Sequence, residues 1–101
     1  MMPVPDEAAR DLYGRLRRFF PGPVLDVGCG AGSVAAQLGG PLVLLDAVDL
    51  RGPDAPSAPF LRADACALPF ATASLGGVHL ARVLHHVSDW RLALTEARRV
   101  V

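Results

Sequence analysis

Four residues at alternate positions, Asp26, Gly28, Gly30 and Gly32 in Val-Leu-Asp-Val-Gly-Cys-Gly-Ala-Gly, are the part of this sequence best suited to chemistry. Three glycines so close together exceed what a turn needs, and they let the main chain approach a ligand that side chains would hold off. Neither common nucleotide loop fits. Counted from Gly28 and Gly30, the third glycine of a dinucleotide fingerprint falls on Ser33, and no Gly-Lys-Ser/Thr follows to cradle a phosphate. An acid two residues before the first glycine would repel a pyrophosphate but attract an ammonium or sulfonium group. Asp26 can serve such a ligand, brace the loop by accepting its amide hydrogens, or do both. Cys29 reads as a small packed residue whose backbone, not its thiol, meets the ligand.

The elements that must position this loop follow from hydrophobic spacing. Leu12, Tyr13, Leu16, Phe19 and Phe20 recur at helical intervals from Asp6 to Phe20, and Pro-Gly-Pro at 21–23 ends that helix. Arg15, Arg17 and Arg18 read as its wet face. Val-Leu-Asp-Val is a buried strand leading into the glycines. Ser-Val-Ala-Ala-Gln-Leu then opens a helix with Ser33 near its cap. Leu-Val-Leu-Leu-Asp, continuous and apolar, has the pattern of a parallel strand covered on both faces. A proline-rich loop at 51–59 precedes a short third strand ending near Asp64. A fourth strand lies within 75–84, weakened by Gly76 and Gly77. Trp90, Leu94, Ala97 and Val101 form one stripe of a last helix, with Trp90 packing it onto the sheet. The expected fold is α/β, a partial Rossmann-like doubly wound parallel sheet of about four strands. Residues 1–23 form an N-terminal helical unit and 24–101 the ligand-binding unit.

Val-Leu-Asp-Val-Gly-Cys-Gly-Ala-Gly resembles motif I of the class I S-adenosylmethionine-dependent methyltransferases, type 11-like. Arg-Ala-Asp-Ala-Cys-Ala-Leu-Pro-Phe, Leu-His-His-Val-Ser-Asp-Trp and Ala-Leu-Thr-Glu-Ala-Arg-Arg-Val-Val resemble later segments of that family in the right order. The resemblance implies strand order 3-2-1-4 and S-adenosylmethionine as cofactor. It places Asp26, Gly28, Cys29, Gly30 and Gly32 at the methionine end. The ribose hydroxyls fall to Asp46, next to Ala47, with Asp49 as competitor. The adenine falls to Asp64 and Ala65. The transferred methyl points past Ala81 and Arg82. His85 and His86 are candidate general bases near neutral pH, or packed and capping histidines. Gly76 stands where relatives usually carry an acid, and Arg82 where another acid often follows the fourth strand.

With 101 residues, zero formal net charge and a mean hydropathy of +0.33, the composition fits one small globular domain. A nucleic-acid surface would show a basic excess, and none is present. No apolar run approaches the length of a membrane span, and Cys29 and Cys66 lack metal-ligand spacing. A reducing cytoplasm, a small-molecule acceptor and no membrane partner are the expectations. The family fold continues past the Glu-Ala-Arg-Arg-Val helix. A chain stopping there, whether a fragment or a natural short protein, would leave the fourth strand as an open edge for a homo- or hetero-oligomeric partner. The alternatives are a non-catalytic interaction protein of this fold and a nicotinamide-dependent oxidoreductase, the latter disfavoured by Ser33 and Asp26.

Overall fold

A computed structural model describes residues 5–20 and 22–101, with the side chains of 5–10 left aside. Residues 1–4 of the expected N-terminal unit, and Pro21 of the Pro-Gly-Pro stop, lie outside the described residues.

Four parallel strands make one sheet: β1 (Val24–Val27), β2 (Leu42–Asp46), β3 (Phe60–Arg62) and β4 (Gly77–Leu80). Their order is β3-β2-β1-β4, as expected, so the strand that feeds the glycine turn is central. β1 is buried throughout because it is covered on both faces, which is why its sequence is nearly all apolar. Leu25, Val27 and Leu45 point to one face and pack with Ala93 and Val100 of α3 (Trp90–Val100). Val24, Leu42 and Leu44 point to the other, where they meet Ala35 and Leu38 of α2 (Ser33–Leu38) and Tyr13 of α1 (Pro5–Arg17).

α1 and the turn after it bring Tyr13, Leu16 and Phe20 of the expected stripe toward the sheet, whereas α3 turns a different face inward from the one its large apolar residues suggest. On α3 the buried residues are Ala93 and Val100, while Trp90, Leu94 and Val101 are exposed. Trp90 therefore does not pack this helix onto the sheet; the small Ala93 lets the helix lie close instead. On α1, Leu12 and the following Phe19 are mostly exposed and Tyr13 faces inward. Arg17 is not part of a wet face. Its Nη2 donates to the carbonyls of Gly22 and Pro41, tying the end of α1 to the lead-in segments of β1 and β2.

α2 opens at Ser33, as expected; Gly32, in the left-handed region at φ 90°, occupies the cap position itself, and among the described residues no side chain caps the helix. At the other end of β1 the two glycines expected to weaken β4 serve close contacts. A Cβ on Gly76 would lie 2.6 Å from the Cα of Gly22, and one on Gly77 would lie 2.7 Å from the Phe20 ring. α3 starts at a true side-chain cap, with Asp89 Oδ1 accepting from the amides of Arg91 and Leu92.

Candidate functional site

The glycine turn sits on the carboxyl end of β1 and is held from beneath and from the side. The amides of Gly28 and Cys29 both donate to the carbonyl of Leu45, at 2.8 and 3.1 Å. Gly30 N–H donates to Asp46 Oδ2 at 2.9 Å. The loop brace is thus Asp46 and not Asp26. Register explains it: Asp26 is the partner of Leu44, so Asp46 stands two residues higher, level with the turn itself.

Asp26 lies below the turn, 3% exposed, with Oδ1 2.9 Å from His79 Nδ1 on β4 and Oδ2 buried without a partner among the described residues. Tyr13 meets the His79 ring edge-on at 5.4 Å. Sequence reasoning passed over His79, although its place in a short strand beside an acidic one was a usable signal. Cys29 is buried as well. Its thiol is pushed up to about 11, first by burial and then by the nearby charges of Asp26 and Asp46.

A cleft of about 510 Å³ opens at the carboxyl ends of β1, β2 and β3, the position that open α/β sheets use for ligands. Gly28, Asp46, Ala47, Asp64 and Ala65 line it, together with His86 and Ser88 from the segment after β4. Asp26, Cys29, Gly30, Gly32, Ala81 and His85 are not among its lining residues. Of the two histidines only His86 borders the cleft, with its ring centre 3.8 Å from that of His85. Asp49 stays outside, engaged by two hydrogen bonds from the Arg51 guanidinium, which hold its carboxyl down to about 2.

The polar groups around the cleft suit a nucleoside. Asp46 projects from the end of β2 and keeps its orientation through the Gly30 amide. Asp64 uses Oδ1 to accept from Cys66 N–H at 2.8 Å, and its other oxygen has no partner among the described residues. The Ala65 amide, at the base of the same wall, likewise finds no acceptor among the described residues. An acceptor-donor pair of this kind, one carboxylate oxygen and the next amide, matches the edge of a base bearing an amino group beside a ring nitrogen. Gly28 presents bare backbone to the cleft; a Cβ there would lie 2.5 Å from Val83 Cγ2. Among the described residues no group of three or more His, Cys, Asp and Glu is placed to hold a metal ion.

The methyltransferase domain family matches residues 25–101, three quarters of the chain and all of the cleft. The chain belongs to that family. S-adenosylmethionine is the cofactor that goes with this family and fold. Among solved structures, the YcgJ protein from Bacillus subtilis is similar, with 25% identity and a TM-score of 0.77 over 94% of this chain and 46% of its own. The 1,6-didemethyltoxoflavin-N1-methyltransferase of Burkholderia thailandensis, solved with 1,6-didemethyltoxoflavin and S-adenosylhomocysteine, is 19% identical. Its TM-score is 0.72, over 95% of this chain and 47% of its own. A Haloferax volcanii methyltransferase in complex with the Trm112 activator is 20% identical at a TM-score of 0.67, over 95% of this chain and 51% of that structure's. These two share the fold. No curated protein matches the chain. This methyltransferase domain spans about half the length of those solved structures.

Proposed function

We propose that the cleft binds S-adenosylmethionine and that the chain is the cofactor-binding half of a methyltransferase. The observation that carries this reading is Asp46: a strand-end carboxylate on the cleft lip, locked to the glycine turn by the Gly30 amide. In this reading Asp46, next to Ala47, holds the ribose hydroxyls. Asp64 and the Ala65 amide hold the base, and the bare backbone of the turn lies along the methionine end. Asp26 lies below that turn, bonded to His79. Its charge reaches a cation through the loop rather than across the cleft.

When bound, S-adenosylmethionine supplies an electrophilic methyl group on a sulfonium centre. The chain contributes position, which can supply up to roughly 7–11 kcal/mol of a barrier when an acceptor is held in line. His86, exposed at the cleft rim, is the residue placed to take a proton from an acceptor that arrives protonated. His85 supports its ring from outside. A small-molecule acceptor agrees with the absence of net charge. The toxoflavin-type acceptor belongs to the Burkholderia protein and the activator to the Haloferax one. No helix among the described residues is long and apolar enough to cross a membrane.

Titration calorimetry of the purified chain with S-adenosylhomocysteine tests the reading. Saturable binding that drops at least tenfold in Asp46→Ala, and is unchanged in Asp49→Ala, is expected, since charge-assisted bonds contribute about 1.5–3 kcal/mol each. No heat from either S-adenosylhomocysteine or S-adenosylmethionine overturns it. That outcome favours the non-catalytic interaction protein.

A further inference from the structure

Arg62 is the charged cleft residue that neither the family resemblance nor the site as described assigns. It ends β3 as the register partner of Asp46, so the two side chains leave the sheet side by side on the same face. They form no ion pair. Instead Arg62 Nε donates to the carbonyl of Ala47 at 3.0 Å. That bond brings the guanidinium back over the end of β2 and along the cleft wall, and it leaves both Nη groups without a hydrogen-bond partner among the described residues.

The wall beneath it is low. Ala47, Ala63 and Ala65 offer only methyl groups to the cleft, so a flat ring lying between the ends of β2 and β3 has little side-chain surface to cover it. A guanidinium is planar, weakly hydrated and able to lie on a π-face, unlike an ammonium group. The same corner of the molecule already shows that geometry. Arg51, fixed by Asp49, sets its guanidinium carbon 4.4 Å from the centre of the Phe60 ring, at the start of the strand that Arg62 ends.

We propose that Arg62 is a ligand-binding residue whose guanidinium, held by the Ala47 carbonyl, stacks on the purine face of the nucleoside in the cleft. The inference rests on the cofactor-binding reading above and adds the residue that covers the base. It makes Arg62 selective for ligands carrying an aromatic base, whatever their amino-acid end.

The test uses the purified chain, with Arg62→Ala and Arg62→Lys variants and three probes. These are S-adenosylhomocysteine, 5′-methylthioadenosine, which lacks the amino-acid end, and S-ribosylhomocysteine, which lacks the base. Stacking predicts that both variants lose about three- to thirty-fold in affinity for the two adenine-bearing probes, since lysine restores the charge but not the plane. Affinity for S-ribosylhomocysteine stays at the wild-type value. Equal loss for all three probes, or Arg62→Lys binding like wild type, overturns the proposal and leaves the cofactor reading standing. A wild-type chain that binds no S-adenosylhomocysteine overturns both. Because Arg62 is exposed, unchanged thermal midpoints are expected in both variants, and the base-free probe supplies the comparison within each variant.

Discussion

His79 Nδ1 lies 2.9 Å from Asp26 Oδ1, and the two residues are register partners on neighbouring strands beneath the glycine turn. A carboxylate accepts, so the imidazole donates through Nδ1. Its ring is held in turn by the edge contact with Tyr13, which links α1 to the strand under the turn. Asp26 Oδ2 is buried without a partner among the described residues, so the carboxylate depends on this one bond there.

Replacing His79 with Phe leaves a buried carboxylate with no partner and should cost about 1–3 kcal/mol in a urea unfolding curve. Asp26→Asn keeps an acceptor for Nδ1 and should cost less. Equal stability of His79→Phe and wild type would show that the pair contributes nothing.

Cys29 gives the protein an alkaline sensitivity. The unfolded chain loses the thiol proton near 9, whereas the folded chain keeps it until about 11. Above pH 9 the unfolded state therefore binds fewer protons, and stability falls as pH rises through that window. Unfolding midpoints measured from pH 8 to 11 should fall more steeply for wild type than for Cys29→Ala. At pH 8 a thiol reagent should titrate Cys66 in the folded chain and reach Cys29 only after denaturation.

Substitutions in the turn should rank by what surrounds each glycine. A Cβ on Gly30 meets nothing within 4 Å, so Gly30→Ala carries only the left-handed backbone penalty of about 1–2 kcal/mol. A Cβ on Gly32 falls 2.6 Å from the Ala55 Cβ and 3.0 Å from its Cα, at φ +90°. Gly32→Ala should be the more destabilising of the two in chemical denaturation, because main chain of the proline-rich loop has to move.

Two paired side chains of the last helix, Glu96 and Arg99, fasten it to the loop after β3 through backbone groups of Leu68 and Phe70. Arg99 Nε donates to Glu96 Oε2 at 2.6 Å, its Nη groups donate to the carbonyls of Leu68 and Phe70, and Glu96 Oε1 accepts from the Leu68 amide. Arg99, and then the Leu68 amide, hold the Glu96 carboxyl below its ordinary value. The contribution is complete above that ordinary value and is lost as pH falls through the lowered one. Glu96→Gln should be less stable than wild type at pH 7 and should converge on it in acid, as read from unfolding midpoints between pH 7 and 2.

β1, α2 and β2 were legible to the residue because each is an apolar run bounded by glycine or proline. Val24–Val27 runs into Gly28, Ser33–Leu38 stops at Gly39, and Leu42–Asp46 follows Pro41. The inward face of α1 and the turn after it was legible in Tyr13, Leu16 and Phe20, but that of α3 was not. Periodicity marks a stripe, but helix-to-sheet distance selected Ala93 over Trp90 and Leu94. Asp46, Asp64 and Ala65 could be placed on the cleft because strand ends and family spacing coincide there. The height of Asp26 below the turn, its bond to His79 and the turn of Arg62 toward Ala47 depend on register between strands, which a linear sequence does not contain.

Where the lead into β1 passes the lead into β4, Gly22 and Gly76 touch main chain to main chain, and Gly76 N–H donates to the Pro23 carbonyl. A side chain at Gly76 would strike three backbone atoms of Gly22, so no change at the other site can make room for it. This crossing can drift only if both approach segments are rebuilt together.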